Sequence, residues 1–114
     1  MSKNKSFSTE TSERYSRALF ELANENKELD KVESDIKKFQ SIFQTNRDIK
    51  NFIKNPTLNI NTQNKFINLL AENLNFSKNL KNFFLLLILK RRIFFLSKIF
   101  KSFLKLCSKK RGEI

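Results

Sequence analysis

Apolar residues recur every three or four positions along most of this chain, and the pattern predicts helices. The regular spacing is clearest at Leu29, Val32, Ile36, Phe39 and Phe43. Alternation of three and four places such side chains on one face of an α-helix. The polar positions that we expect on the opposite, outer face are Lys31, Asp35, Lys37 and Lys38.

The same periodicity predicts five further helices, which together make an all-α, six-helix bundle. The first should follow an N-cap at Ser8 or Thr9 and end near Glu25. The third should cover residues 47–54 after a cap at residues 45–46, and the fourth should begin near residue 61 or 62. Ser77 should cap the fifth helix, and the sixth should cover residues 93–108. We divide the chain into a flexible N-terminus at 1–13, a bundle domain at 14–108 and a linker segment at 109–114.

The fifth predicted helix is unusual because residues 83–89 are all apolar. A bilayer-spanning helix needs about 20 apolar residues, and cations flank this run on both sides, so we expect no membrane span. Helical spacing divides the segment into two stripes. The stripe expected in the core is Leu80, Phe83, Phe84 and Leu87. The second stripe, which we expect to stay partly exposed for a partner, is Asn82, Leu85, Leu86 and Leu89.

The first predicted helix offers a face that could join the second stripe. Its apolar residues on one side are Tyr15, Ala18, Leu19 and Leu22. We expect these residues and the leucines of the second stripe to form the largest apolar surface patch of the domain. Patches of that kind mark interaction sites in soluble proteins.

Composition excludes most catalytic and metal chemistry. The 114 residues include no His, one Cys, one Gly and one Pro. A nucleophilic triad, a thiolate–imidazole metal site and a glycine-rich phosphate loop therefore lack their residues. We predict no catalytic residue, no metal site and no cofactor, and we expect Cys107 to be a small buried residue of the last helix.

Charge leaves two other functions open. The net charge is +12, and residues 79–114 contribute ten Lys or Arg and one Glu to it. Such a basic segment favours nucleic acid or an anionic membrane as a partner. The alternatives to a protein-docking domain are therefore a helical nucleic-acid-binding module and a membrane-surface protein that uses the amphipathic segment 93–107.

The order of short motifs resembles one protein family. Residues 14–23 read RYSRALFELA, and residues 52–56 read FIKNP. Lys65, an NFF motif at 82–84, an RI pair at 92–93 and an RGE motif at 111–113 then follow in order. This series resembles the delta subunit of F-type ATP synthases, whose mitochondrial counterpart is the oligomycin sensitivity-conferring protein, over nearly the whole chain.

The resemblance implies a non-catalytic stator adaptor on top of the catalytic head. In this family the N-terminal domain holds the N-terminal helix of an alpha subunit between its first and fifth helices. On this basis the partner-binding residues would be Tyr15, Ala18, Leu19, Leu22, Asn82, Leu85, Leu86 and Leu89. No nucleic acid would be involved.

The resemblance also implies a location and a second partner. Family members continue into a second domain that binds the b subunit of the peripheral stalk, and we expect that domain to be absent from this sequence, which stops at Ile114. Residues 1–13 are polar and lack the apolar run of a secretion signal. The expected location is the cytoplasmic face of the inner (plasma) membrane, or the matrix face in a mitochondrion.

Overall fold

The structure, a computed structural model, describes residues 7–112. It contains six α-helices and a short 3-10 turn, and these residues form no strand. The all-α, six-helix prediction is confirmed. The elements are α1 (Phe7–Glu25), α2 (Leu29–Thr45), α3 (Arg47–Lys54), α4 (Ile60–Leu74), α5 (Lys78–Leu89), the 3-10 turn (Ile93–Phe95) and α6 (Leu96–Lys110).

Side-chain caps define the starts of three helices. Asn46, Asn59 and Ser77 each accept a hydrogen bond from the backbone N–H three residues later, at 3.1, 2.8 and 3.0 Å. Such caps satisfy N–H groups that have no partner inside the helix. The predicted caps of α3 and α5 are correct, whereas α4 begins at Ile60, slightly earlier than the sequence indicated.

The first and last helices have slightly different bounds from those predicted. Helix α1 already begins at Phe7, so residues 7–13 are helical, and residues 1–6 lie outside the described range. Small side chains on α1 allow it to pack closely along α6, where Ser16 Oγ donates to Ser102 Oγ at 2.8 Å. At the other end α6 continues to Lys110, two residues beyond the predicted end of the sixth helix at residue 108.

Three phenylalanines link the central helices. The ring of Phe39 on α2 lies 5.4 Å from that of Phe84 on α5 and 5.7 Å from that of Phe100 on α6. The rings of Phe84 and Phe100 are also 5.7 Å apart, and all three pairs meet edge to face. Aromatic rings prefer this geometry because the positive edge of one meets the negative face of another.

Helix α5 turns its predicted core stripe inward. Leu80, Phe83, Phe84 and Leu87 are all buried, and Ile88 is buried beside them. On the opposite side, 41% of Leu86 and 62% of Leu89 are exposed. The two-stripe division of this helix is therefore confirmed for these residues.

Asp35 corrects the predicted outer face of α2. The side chain is buried, and its carboxylate accepts hydrogen bonds from the backbone N–H of Ser77 at 2.8 Å and from Lys31 Nζ at 3.0 Å. A carboxylate at a helix N-terminus interacts favourably with the positive end of the helix dipole. Asp35 thus ties α2 to the start of α5 instead of facing solvent.

The residue that follows α6 is also tied to α2. Arg111 Nη1 lies 2.7 Å from Glu33 Oε1, and Lys37 Nζ lies 3.5 Å from Glu33 Oε2. The hydrogen bond from Arg111 lowers the pKa of Glu33 below its usual value, with the positive charges of Arg111 and Lys37 adding to the effect and burial opposing it.

The two sides of α5 should respond differently to truncation. Leu87→Ala removes buried methyl groups and should cost about 2 to 5 kcal/mol of unfolding free energy through the cavity that remains. Leu86→Ala, the matched control on the same helix, should cost much less because its side chain is substantially exposed. Urea titrations followed by circular dichroism measure both values. Equal destabilisation by the two variants would contradict this orientation of α5.

The Glu33–Arg111 pair should give a characteristic pH dependence. Because the folded-state pKa of Glu33 is lowered, its contribution to stability is present above the unfolded-state pKa of about 4.3. That contribution is lost as the pH falls through the folded-state pKa. Arg111→Ala should therefore destabilise the domain near neutral pH and have a smaller effect at about pH 3.

Denaturant unfolding at the two pH values measures the difference. Arg17→Ala, which removes an exposed arginine of α1, is the control for the loss of one positive charge. If both variants showed the same change in destabilisation between neutral and acidic pH, the Glu33–Arg111 pair would not be the cause of the pH dependence.

Candidate functional site

A cleft of about 370 Å³ lies between α1 and α5. Helix α1 contributes one wall, α5 contributes the other, and Arg92 belongs to the segment that follows α5. The lining residues are Thr11, Arg14, Tyr15, Ala18, Leu19, Leu22, Phe83, Leu86 and Arg92.

The walls of the cleft are apolar because of helical spacing on α1. Tyr15, Ala18 and Leu22 follow one another at intervals of three and four, so they share one face. The Tyr15 ring meets the ring of Phe83 edge to face, with the centroids 6.3 Å apart. This contact joins the two walls of the cleft.

Two leucines form the exposed apolar rim. Leu22 on α1 is 42% exposed, and Leu86 on α5 is 41% exposed. Both side chains line the cleft from opposite walls. An apolar ligand lying between them would remove both from water, which is favourable in proportion to the buried area.

Five of the eight residues predicted for partner binding line this cleft. They are Tyr15, Ala18, Leu19, Leu22 and Leu86. Leu19 differs from the prediction in one respect, because only 1% of it is exposed. It supports the wall from the core and adds little to the surface patch.

The other three predicted residues lie outside the cleft. Helical spacing puts Leu86 on the same side of α5 as Phe83, which contacts α1, and turns Leu85 and Leu89 away from that side. Leu85 is half-buried and packs on the core, while Asn82 and Leu89 are exposed. The predicted stripe is therefore broader than the cleft that the structure forms.

Sequence reasoning missed the polar and basic residues at the cleft. Thr11 and Arg14 precede Tyr15 and Ala18 by one turn, so the helical period of α1 could have identified them. Arg92 could be assigned to the cleft only from the tertiary structure, because the residue lies after the end of α5 and before the 3-10 turn. The two arginines give the apolar cleft a positive edge.

No group of three His, Cys, Asp or Glu side chains suited to a metal ion is found within residues 7–112. Burial raises the pKa of the Cys107 thiol to about 11, so the group is a neutral thiol at physiological pH. In the same part of the chain, no helix combines the length and hydropathy needed to cross a bilayer.

Comparison with known proteins agrees with the motif order. A family model described as the ATP synthase delta (OSCP) subunit matches residues 11–114. ATP synthase subunit delta of Pelagibacter ubique (strain HTCC1062) is 40% identical over 114 residues, which is the whole chain and 62% of that relative.

More distant relatives carry the same name. ATP synthase subunit delta of Rhodospirillum rubrum is 31% identical over 114 residues, which cover 61% of its length. The corresponding protein of Bradyrhizobium sp. (strain ORS 278) is 31% identical over 100 residues, which are 88% of this chain and 54% of that protein. The chain thus spans a little more than half the length of these relatives.

Proposed function

Since this chain belongs to the ATP synthase delta (OSCP) subunit family, we propose that it is a stator adaptor that binds the catalytic head through the α1–α5 cleft. Members of this family are structural, non-catalytic subunits of a membrane-associated complex. As an adaptor, this domain would help to keep the head from turning with the rotor.

The observation that carries the proposal is the apolar cleft with its two exposed leucines. An amphipathic helix places apolar residues at intervals of three and four, and such a stripe fits a groove between two helices. Leu22 and Leu86 would contact the stripe from opposite sides. Following the resemblance, we take the occupant to be the N-terminal helix of an alpha subunit.

The positive edge of the cleft favours a partner helix that carries an acidic residue. Arg14 and Arg92 lie beside the apolar walls. An acidic residue next to the apolar stripe of the bound helix would pair with either guanidinium group, and arginine binds carboxylates well because of its planar fork of donors. The pairing would set the register of the helix in the cleft.

The role that we propose also includes a location and a second contact. The chain would sit on the head at the cytoplasmic face of a bacterial inner membrane, or at the matrix face in a mitochondrion. The b subunit of the peripheral stalk would be bound by a second domain, as the resemblance implies, and not by the cleft described above.

The membrane-surface alternative is disfavoured by the packing of α6. An interfacial helix inserts its apolar face into the lipid. The apolar residues Leu96, Phe100 and Phe103 are already buried in the core of the bundle. The segment would have to leave the bundle before it could bind lipid. The core would then lose four of its largest fully buried side chains, which are Leu96, Ile99, Phe100 and Phe103.

Substitution of the cleft leucine should separate docking from folding. Leu86→Asp places a carboxylate where the partner helix needs an apolar contact, so affinity for a peptide copied from the alpha subunit N-terminus should fall at least about tenfold. Leu69→Asp is the matched control, because Leu69 is 60% exposed on α4 and lies outside the cleft. Isothermal titration calorimetry with the 114-residue chain measures both affinities.

Salt concentration provides a second arm of the same experiment. Docking of an apolar stripe should change little between low and moderate salt, whereas phosphate-dependent binding of nucleic acid weakens steeply. Unchanged peptide affinity in Leu86→Asp, or no peptide binding by the unmodified chain, would refute the docking role of the cleft.

A further inference from the structure

A second cleft lies on the opposite side of α1, where the helix meets α6. Its volume is about 340 Å³. Three lysines of α6 line it, namely Lys98, Lys101 and Lys105, and three hydroxyl side chains lie among them, namely Thr9, Ser12 and Ser102. The character of this surface is therefore cationic and hydrogen-bonding, in contrast to the apolar α1–α5 cleft.

The lysines are arranged as one stripe along α6. Their positions follow at intervals of three and four, which places them on one face of the helix. All three side chains are exposed. With a rise of 1.5 Å per residue, the stripe is about 10 Å long, which is two turns of a helix lying alongside it.

One acidic residue moderates the charge of the second cleft. Glu13 of α1 lines the same cleft, so three positive groups share the space with one carboxylate. Like charges that are held close together repel one another, and an added anion would relieve that repulsion. The second cleft thus carries an excess of positive charge.

The buried side of the second cleft has an unsatisfied polar group. Ser12 is 2% exposed, and its Oγ has no hydrogen-bond partner among the described residues. Buried hydroxyl groups nearly always have a partner, so an exception calls for an explanation. The Oγ atom is itself buried, so a ligand oxygen at the base of the cleft would become its partner once the Ser12 side chain rotated toward the cleft.

We propose that the second cleft binds an acidic helical segment of a neighbouring polypeptide. Glu or Asp side chains at intervals of three and four along such a helix would face the lysine stripe over its two turns. Their carboxylate oxygens would also accept hydrogen bonds from the hydroxyl groups. The site is separate from the α1–α5 cleft and does not depend on the function proposed for that cleft.

Two other anionic partners fit the observations less well. Proteins that bind single-stranded nucleic acid stack bases on aromatic side chains, and the described residues that line the second cleft include no aromatic side chain. A lipid surface would need an exposed apolar face beside the lysines, but the apolar face of α6 is buried in the bundle. A polypeptide carboxylate requires neither feature.

The test compares two double variants of the 114-residue chain with equal changes in net charge. Lys101→Glu/Lys105→Glu reverses two charges in the second cleft, and Lys54→Glu/Lys65→Glu reverses two exposed charges on α3 and α4. The probe is a fluorescein-labelled alanine-based helical peptide with Glu at intervals of three and four. Fluorescence anisotropy measures its affinity at low and moderate salt.

The cleft variant should bind the peptide at least about fivefold more weakly than the α3/α4 variant does. Glu13→Gln should bind it more tightly than the unmodified chain, because a repulsive carboxylate is removed. Leu86→Asp should leave this binding unchanged, which separates the second cleft from the α1–α5 cleft.

Three results would overturn the proposal. The first is an equal loss of affinity in the two double variants, since that would indicate only a general charge effect. The second is no binding of the peptide at low salt. The third is tighter binding to oligothymidylate or to phosphatidylglycerol vesicles than to the peptide, with that binding lost in the cleft variant, because the cleft would then serve phosphate groups.

Discussion

The edge-to-face contact of Phe39, Phe84 and Phe100 is the interaction on which the rest of the structure depends. It joins α2, α5 and α6 at one point, and it fixes the rotation of α5 about its own axis. A helix that is apolar on nearly all sides could be buried by several faces. With Phe84 directed into the core, Leu86 has to face outward beside α1. The apolar cleft is therefore a consequence of core packing.

Helix α1 is the element that the two clefts share. One of its sides presents Tyr15, Ala18 and Leu22 to α5, and another presents Thr9 and Ser12 to α6. The apolar side offers burial of hydrocarbon, which acts at short range and depends little on salt. The basic side offers charge, which acts over about 10 Å and is screened by salt. One helix thus divides the surface into two regions with different physical preferences.

Sequence periodicity predicted most of the fold because local rules decide it. The starts of α3 and α5 followed from side-chain caps, and the buried stripe of α5 followed from spacing alone. Asp35 could not be placed in this way, because its partner, the N–H of Ser77, lies 42 positions away in the sequence. The exclusion of Leu85 and Leu89 from the cleft likewise depends on which neighbour lies on each side of α5. Periodicity gives the faces of a helix, but only tertiary packing decides what each face meets.

The ion pair at the end of α6 has a mechanical consequence. Helix ends fray more readily than helix centres, because their last backbone groups lack partners within the helix. Arg111 lies just after the last helical residue, and its link to Glu33 joins this end to the second turn of α2. A force that pulled on the chain beyond α6 would be transmitted into α2 through this link. Detachment of α6 would then require loss of the ion pair together with separation of the packed helices, instead of unwinding one turn at a time.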